Sequence, residues 1–498
     1  MANWIIFIVA SCVLIGVGYM SGRKIQKDQV EGEGFLLGAK QIGPFIGAGT
    51  LMATGYSGWG FIGSPGTAYA YGTIELLANF FFAPAITFGT LWFANYMRKN
   101  AESMGGLTVP EYLSKIHRGT EAEQRRVHLL AGFATLMFLT VYIVGQIRAV
   151  GLVASKWLGV SEAIAATILL LVVIIFTMQG GLLAVAITDT IMCVGMLVSA
   201  VIVITVIKQD ISIMELIDKL GEIDPKITNP VTSVPYGRSK YQVFLVFIYA
   251  LLFTTTLPYM SVRFLSLKED LKVHKMALYM APMGLILSFI PMVGLYMRYK
   301  NPGLDNPDAA MPVFLNTYVH PAIGGVITLF ILFAMLSTIS SVLQTQASAL
   351  SHDMYVSIKK KMHPKGDKFN RLMVLVIALV SLWLTFVAPQ GMLNQIAYIG
   401  TGGLIAMFLG PTIVQIFIKA NAKTCFVSML AGLITNVVLV LGVNTGWVEA
   451  PILGGLASAV VYAVMGYITN GNKRIPDGYS EKKVQAALDD AKIQEELN

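Results

Sequence analysis

Four hydroxyls fall within five residues at Ser337, Thr338, Ser340 and Ser341, inside the apolar run LFAMLSTISSVLQTQAS, residues 332–348. Hydroxyl and carbonyl oxygens are hard donors, the kind that hard cations such as sodium accept. The competing use is local, since each hydroxyl in a buried helix can bond a carbonyl one turn earlier. A second stretch, ATGYSGWG at 53–60, interrupts another apolar block with glycines and polar groups. A helix opened there bares carbonyls on one side and amides on the other, and in lipid these need partners. Lining a cavity, the carbonyls can hold sodium and the amides an anion. Packed against a neighbour, the same small residues only allow close approach. Trp59, bulky among small residues, favours a solute site. A third feature is Asp189 in GGLLAVAITDTIMC. A carboxylate inside a span costs roughly 2.5–3.5 kcal/mol on insertion scales, which points to ion binding or coupling unless it is a neutral bystander near the interface.

Other polar residues read as bland. Arg148 is expected to snorkel to the interface rather than grip a substrate carboxylate. Glu75, at a span edge, is expected in water, as are His117, His128, His274, His352 and His363 in loops. Cys12, Cys193 and Cys425 lie in separate spans and indicate neither a disulfide nor a metal site. Phosphate-loop, HExxH, GxSxG and Cys-x-x-Cys motifs do not occur, so neither enzyme chemistry nor direct ATP drive is indicated.

The elements that must position these groups are membrane helices. Of 498 residues, 55% are hydrophobic and 13% charged, against about a quarter charged in soluble domains. Apolar blocks of spanning length recur about thirteen times, and no alternating pattern indicates a β-barrel. The fold class is therefore an all-α polytopic membrane protein. Most of the 36 Lys and Arg fall in alternate loops, which sets the N-terminus outside and the tail in the cytoplasm of a cell-membrane protein. The formal charge of +8 is thus a topological signal and implies no nucleic-acid partner. The first span has no basic residue before it and reads as retained rather than as a secretory signal. In the loop at 98–126, Thr108 and Pro110 mark a capped helical start. FTTTLPYM at 253–260 interrupts the seventh span, five spans after the break at 53–60. Paired interruptions at that interval point to two inverted repeats around a transport site.

The chain resembles the sodium:solute symporter family over almost its whole length. The motifs are Ser57-Gly58-Trp59 with Phe61-Ile62-Gly63-Ser64-Pro65-Gly66; Gly180-Gly181 with Ala184-Val185 and Thr188-Asp189; Pro258 with Arg263; and Ala334, Ser337-Thr338, then Asp353-Met354-Tyr355. The resemblance implies a leucine-transporter-like core of two inverted five-helix repeats, with one extra N-terminal and two extra C-terminal helices. Residues 1–42 would precede the core, 43–207 form the first repeat, 208–240 an external loop, and 241–418 the second repeat. The two extra helices would occupy 419–470 and a cytoplasmic tail 471–498. It further implies a sodium site from the carbonyls of Ala53, Tyr56 and Ala334 and the hydroxyls of Ser337 and Thr338. Asp189, Ser340 and Ser341 match a second sodium site, or a proton site. Met192 stands where the family usually has glutamine. Gly55, Ser57, Gly58, Trp59, Tyr142, Thr254 and Thr255 are the expected solute contacts.

Sodium is the expected coupling ion, with no other cofactor, and the partners are a small solute, Na+ and the lipid bilayer. The chain is expected as a monomer or weak oligomer. Proline symporters of this family share Ser57-Gly58-Trp59 and a tyrosine at Tyr142. They carry an aspartate at Gly55, and large aromatics where Ala250 and Thr254 stand. FIGSPGTAYAYG and LPYMSVRFLS look closer to pantothenate symporters, so the expected solute is a small organic carboxylate, pantothenate first and an amino acid second. The alternatives are a proton-coupled carrier on the same fold, a transporter-like sensor and, least, a channel.

Overall fold

The structure, a computed structural model, describes residues 2–27, 36–229, 242–268, 270–364, 366–388, 391–443 and 445–470. The expected tail at 471–498, and residues 230–240 of the expected external loop, lie outside the described residues. Helix accounts for nearly all of the ordered backbone. Among the described residues the isolated bridges are Ile42 with Leu267 and Arg118 with Asn421.

Ten helices are long and apolar enough to cross a bilayer, or eleven if the bent pair Phe244–Thr256 and Pro258–Leu265, turned by 52°, counts as one span. The difference from about thirteen apolar blocks has a physical origin. The blocks at 161–178 and 182–207 merge into Glu162–Asp210, 49 residues long. A straight helix of that length would run about 74 Å, more than twice the ~30 Å hydrocarbon core. Two helical segments instead meet at Gly181, whose φ of 50° and ψ of −149° break the helix. A positive φ is inexpensive only without a Cβ. The block at 44–71 is likewise divided into Pro44–Gly58, a π turn at Trp59–Gly63, and Ser64–Tyr71.

The Pro321–Ser348 helix, with its π turn at Ala349–Met354, is the centre of the bundle. Of its spanning window 89% is buried, against 33% for the N-terminal helix. The N-terminal helix packs on the kink: a Cβ on Gly22 would lie 2.3 Å from the Gln179 carbonyl oxygen. Asn3 Nδ2 and Trp4 Nε1 donate to the carbonyls of Trp157 and Leu158 at 2.7 and 3.1 Å, serving the otherwise bare end of Glu121–Leu158. Outward-facing positions such as Trp383 and Ile468 are apolar and more than half exposed, as lipid contact requires.

Candidate functional site

The break in Pro44–Gly58 falls at Ser57, with φ 30° and ψ −157°. A non-glycine residue held there stores about 1–3 kcal/mol, which the surroundings must over-determine. Ser57 Oγ lies 3.2 Å from the Tyr142 hydroxyl. Trp59 Nε1 donates to the Gly55 carbonyl at 2.7 Å, taking one oxygen near the break. The Trp59 ring meets Phe82 edge-on, with centroids 4.8 Å apart. The isolated bulky residue of the sequence is therefore a clamp on the opened helix as well as a wall beside it.

Two close approaches set the register between this helix and Pro321–Ser348. A Cβ on Gly58 would lie 2.8 Å from Met335 Cγ, and Thr54 Oγ1 is 3.5 Å from Ser341 Oγ. The helices run antiparallel, with Tyr56 between those contacts on one and Ser337 and Thr338 on the other. Ala53, Tyr56, Ala334, Ser337 and Thr338 are all fully buried. Ser337 Oγ donates to the Ala334 carbonyl and Ser340 Oγ to the Ser337 carbonyl, each at 2.8 Å, the local back-bonding that competes with ion binding. Thr338 differs, because its Oγ1 is buried without a hydrogen-bond partner. An orphaned buried hydroxyl is costly, and its oxygen is of the hard donor type that a small hard cation accepts.

One turn further along, Ser341 belongs to another layer. Arg263, fully buried, places Nη2 at 3.0 Å from Asp189 Oδ2. Arg263 also donates to Thr50 Oγ1 at 2.7 Å, and to Thr54 Oγ1 and Ser341 Oγ at 2.6 Å each. Its Nη1 donates to the Tyr259 carbonyl. Thr50 Oγ1 in turn donates to Asp189 Oδ2 at 2.6 Å. Asp189 Oδ1 has no partner. Asp189 and Ser341 thus meet as the motifs imply, while Ser340 points its hydroxyl back into its own helix. Arg263, just past the seventh apolar block, is the cation at their centre. Pro258 restarts a helix after the bend and carries Arg263 inward.

Among the expected solute contacts, Ser57, Trp59 and Tyr142 cluster, with the Tyr142 ring 5.6 Å from that of Tyr259. Thr254 Oγ1 is buried without a partner, whereas Thr255 Oγ1 is spent on the carbonyls of Leu251 and Leu252 at 3.3 and 3.1 Å. A Cβ on Gly55 would meet Ile86 Cδ1 at 3.1 Å and Met260 Cε at 3.7 Å, an apolar setting unsuited to a carboxylate. Gln146 does not stand out in the sequence. Both of its side-chain polar atoms are buried and unpartnered, and its Oε1 would stand 2.6 Å from a Cβ on Gly58. Its position one turn after Tyr142, polar in an apolar helix, is the signal that could have found it.

Several bland readings need correction. Glu75 is fully buried, not solvated: Ser64 Oγ donates to Oε1, and Asn79 Nδ2 donates to the same oxygen at 2.8 Å. His117, His128 and His352 are buried too, because the Val109–Ile116 helix folds under the bundle. Thr108 Oγ1 accepts from the Glu111 amide at 3.1 Å and caps that helix. Burial pushes Glu111 up, but its hydrogen bond to His352 and the nearby Lys115 outweigh this and bring it down to about 2. His117 bonds the Leu113 carbonyl at 2.7 Å and Tyr462 at 2.8 Å, and burial lowers its pKa to about 4. Arg148 Nη2 donates to the carbonyls of Thr385 and Ala388 at 2.9 Å each. At the opposite end of the bundle from Val109–Ile116, it lines a cavity of about 460 Å³ with Glu162, Asp305 and Asp308.

The sodium:solute symporter family model matches residues 35–432. Sodium/proline symporter 2 of Staphylococcus saprophyticus is 26% identical over 462 residues, covering 88% of this chain and 86% of the relative. The sodium/proline symporter of Staphylococcus aureus is 26% identical over 423 residues, covering 80% and 79%. Among solved structures, a substrate-bound, outward-open Na+-coupled sialic acid symporter superposes with a TM-score of 0.76 at 17% identity, over 94% of this chain and 98% of the other. Mhp1, a nucleobase-cation-symport-1 family transporter, gives 0.57 at 13% identity, over 90% and 97%. These two share the fold. With most of its length matched, the chain belongs to the sodium:solute symporter family and is a transporter, not an enzyme.

Proposed function

We propose that the protein is a secondary active transporter of the cell membrane that couples sodium entry to uptake of a small organic carboxylate by alternating access. The observation that carries this reading is Thr338 Oγ1, a buried and unpartnered hydroxyl between the Met335 and Ser341 contacts with the broken helix. Sodium binds the carbonyls of Ala53, Tyr56 and Ala334 and the hydroxyls of Ser337 and Thr338, tying the two helices together. The solute binds beside Ser57, Gly58, Trp59, Tyr142 and Thr254, with Gln146 added to that set and Gly55 and Thr255 at its backbone edge. Each sodium charge crossing roughly 100 mV supplies about 2.3 kcal/mol, enough to concentrate a solute more than tenfold.

We assign one sodium per cycle. Asp189, Ser340 and Ser341 are the residues offered for a second sodium or a proton, and Arg263 already supplies a positive charge to Asp189 and Ser341. The core is read as two inverted five-helix repeats at 43–207 and 241–418, within thirteen spans, the 44–71 and 162–210 segments supplying two spans beyond the eleven. The N-terminus is outside, and the Val109–Ile116 end and the tail are cytoplasmic. For the solute, the names of the two Staphylococcus relatives, Ser57-Trp59 and Tyr142 favour proline, while the apolar setting of Gly55 speaks against it. Pantothenate rests on the stretches FIGSPGTAYAYG and LPYMSVRFLS alone.

Uptake of labelled proline, pantothenate and monocarboxylates into proteoliposomes decides these points. Accumulation driven by an inward sodium gradient, absent in potassium and needing at least ~10-fold more sodium in Thr338→Val, is the expected result. Uptake that follows a proton gradient and ignores sodium would overturn the ion assignment.

A further inference from the structure

At the end of the bundle covered by the Val109–Ile116 helix, three elements bring two imidazoles and two carboxylates together. His128 Nε2 is 2.8 Å from Asp353 Oδ1, and His352 Nε2 is 3.0 Å from Glu111 Oε2. Thr108 Oγ1 also donates to Asp353 Oδ1. The imidazole centroids are 6.1 Å apart. One ring nitrogen from each of His128 and His352 and a carboxylate oxygen of Asp353 lie within 4.8 Å of one another, all three residues buried. Two local features create this. His352 and Asp353 sit in the π turn at Ala349–Met354, a widened turn of the kind frequent at functional sites. Gly132, one turn after His128, lets the Glu121–Leu158 helix approach closely, since a Cβ there would be 2.9 Å from that of Asp353.

We propose that His128, His352 and Asp353 form a binding site for a divalent transition metal of the zinc class. Neutral imidazole and carboxylate are the donors such ions select. Ligand atoms about 2.0–2.2 Å from the metal stand about 3.3 Å apart, so closing the site takes side-chain shifts on the order of 1 Å. Glu111 holds the His352 ring, as a carboxylate behind a metal-bound imidazole usually does. The Glu111 and Asp353 charges balance a divalent ion, with Lys115, 2.8 Å from Glu111, at the rim. The bound ion joins the covering helix to the two long helices beneath it. This site is separate from the sodium and solute residues and does not depend on what the protein transports.

The test is direct binding of Zn2+ to the purified full chain in detergent, by titration calorimetry and by competition with a chromogenic chelator at neutral pH. One ion per chain is expected, weakened at least tenfold in His128→Gln and in His352→Gln. Glutamine can keep a hydrogen bond to the facing carboxylate, and thermal unfolding checks that each variant is folded. His274→Ala, an exposed histidine elsewhere, should bind as wild type, and Mg2+ should not compete. Binding below one ion per chain, equal binding by His128→Gln and wild type, or equal competition by Mg2+ would each overturn the site.

Discussion

Two polar layers one turn apart on the Pro321–Ser348 helix engage their hydroxyls in opposite ways. At Thr338 a buried hydroxyl has no hydrogen-bond partner. At Ser341 the hydroxyl is committed to Arg263, which bridges Asp189, Thr50 and Thr54. The first layer carries a desolvation cost that a mobile ion can relieve. The second has its cation built into the chain and released only by breaking several charge-assisted bonds. Neighbouring hydroxyls of one motif therefore divide between an unpartnered group and a strut.

The largest break in this contrast is Arg263→Met, which leaves Asp189 buried without its counter-charge and should cost about 3–5 kcal/mol. Thermal unfolding of the purified chain measures it, and Arg263→Met with Asp189→Leu should recover most of the loss. A fall below about 1 kcal/mol would erase the distinction between the layers. Ser341→Ala removes the hydrogen bonds to Arg263 and Asp189 and should cost about 1.5–3 kcal/mol, read in the same assay. Thr338→Val should act with the opposite sign on stability, leaving it unchanged or raised, while the sodium concentration for half-maximal uptake rises at least ~10-fold, or about 1.4 kcal/mol. A destabilised Thr338→Val with normal sodium dependence would make that layer structural too. Gln146→Leu should move least: solute affinity falls several-fold while the sodium dependence of uptake stays the same.

Much of this is readable in the residues. The glycine-rich run at 53–60 opens at Ser57, within the stretch that composition marks. The hydroxyl run and the intramembrane Asp189 do meet across three helices. What escapes a local reading is charge carried in from outside a span. Arg263 lies among the basic residues that follow the seventh apolar block, and only the 52° bend before it turns the side chain inward. Its partner is 74 positions away, and no local pattern records such a contact. Glu75 misleads for a related reason, since Asn79 one turn on and Ser64 across the turn supply the partners that water would have given. The histidines of the Val109–Ile116 end look wet by position because loops usually are, whereas this loop is a helix pressed against the bundle.

The seating of the N-terminal helix bears on how the chain is assembled. Trp4 and Asn3 close on carbonyls 154 positions later, and Gly22 rests on backbone that follows later still. At a synthesis rate of about 5–20 residues per second, the first helix waits roughly ten to thirty seconds in the bilayer before its seat exists. Ile5 and Met20, still exposed in the finished protein, let it wait in lipid without a partner. A ribosome halted before residue 158 would hold a first helix that is inserted but free to rotate, and cross-linking from position 4 should then reach lipid instead of protein.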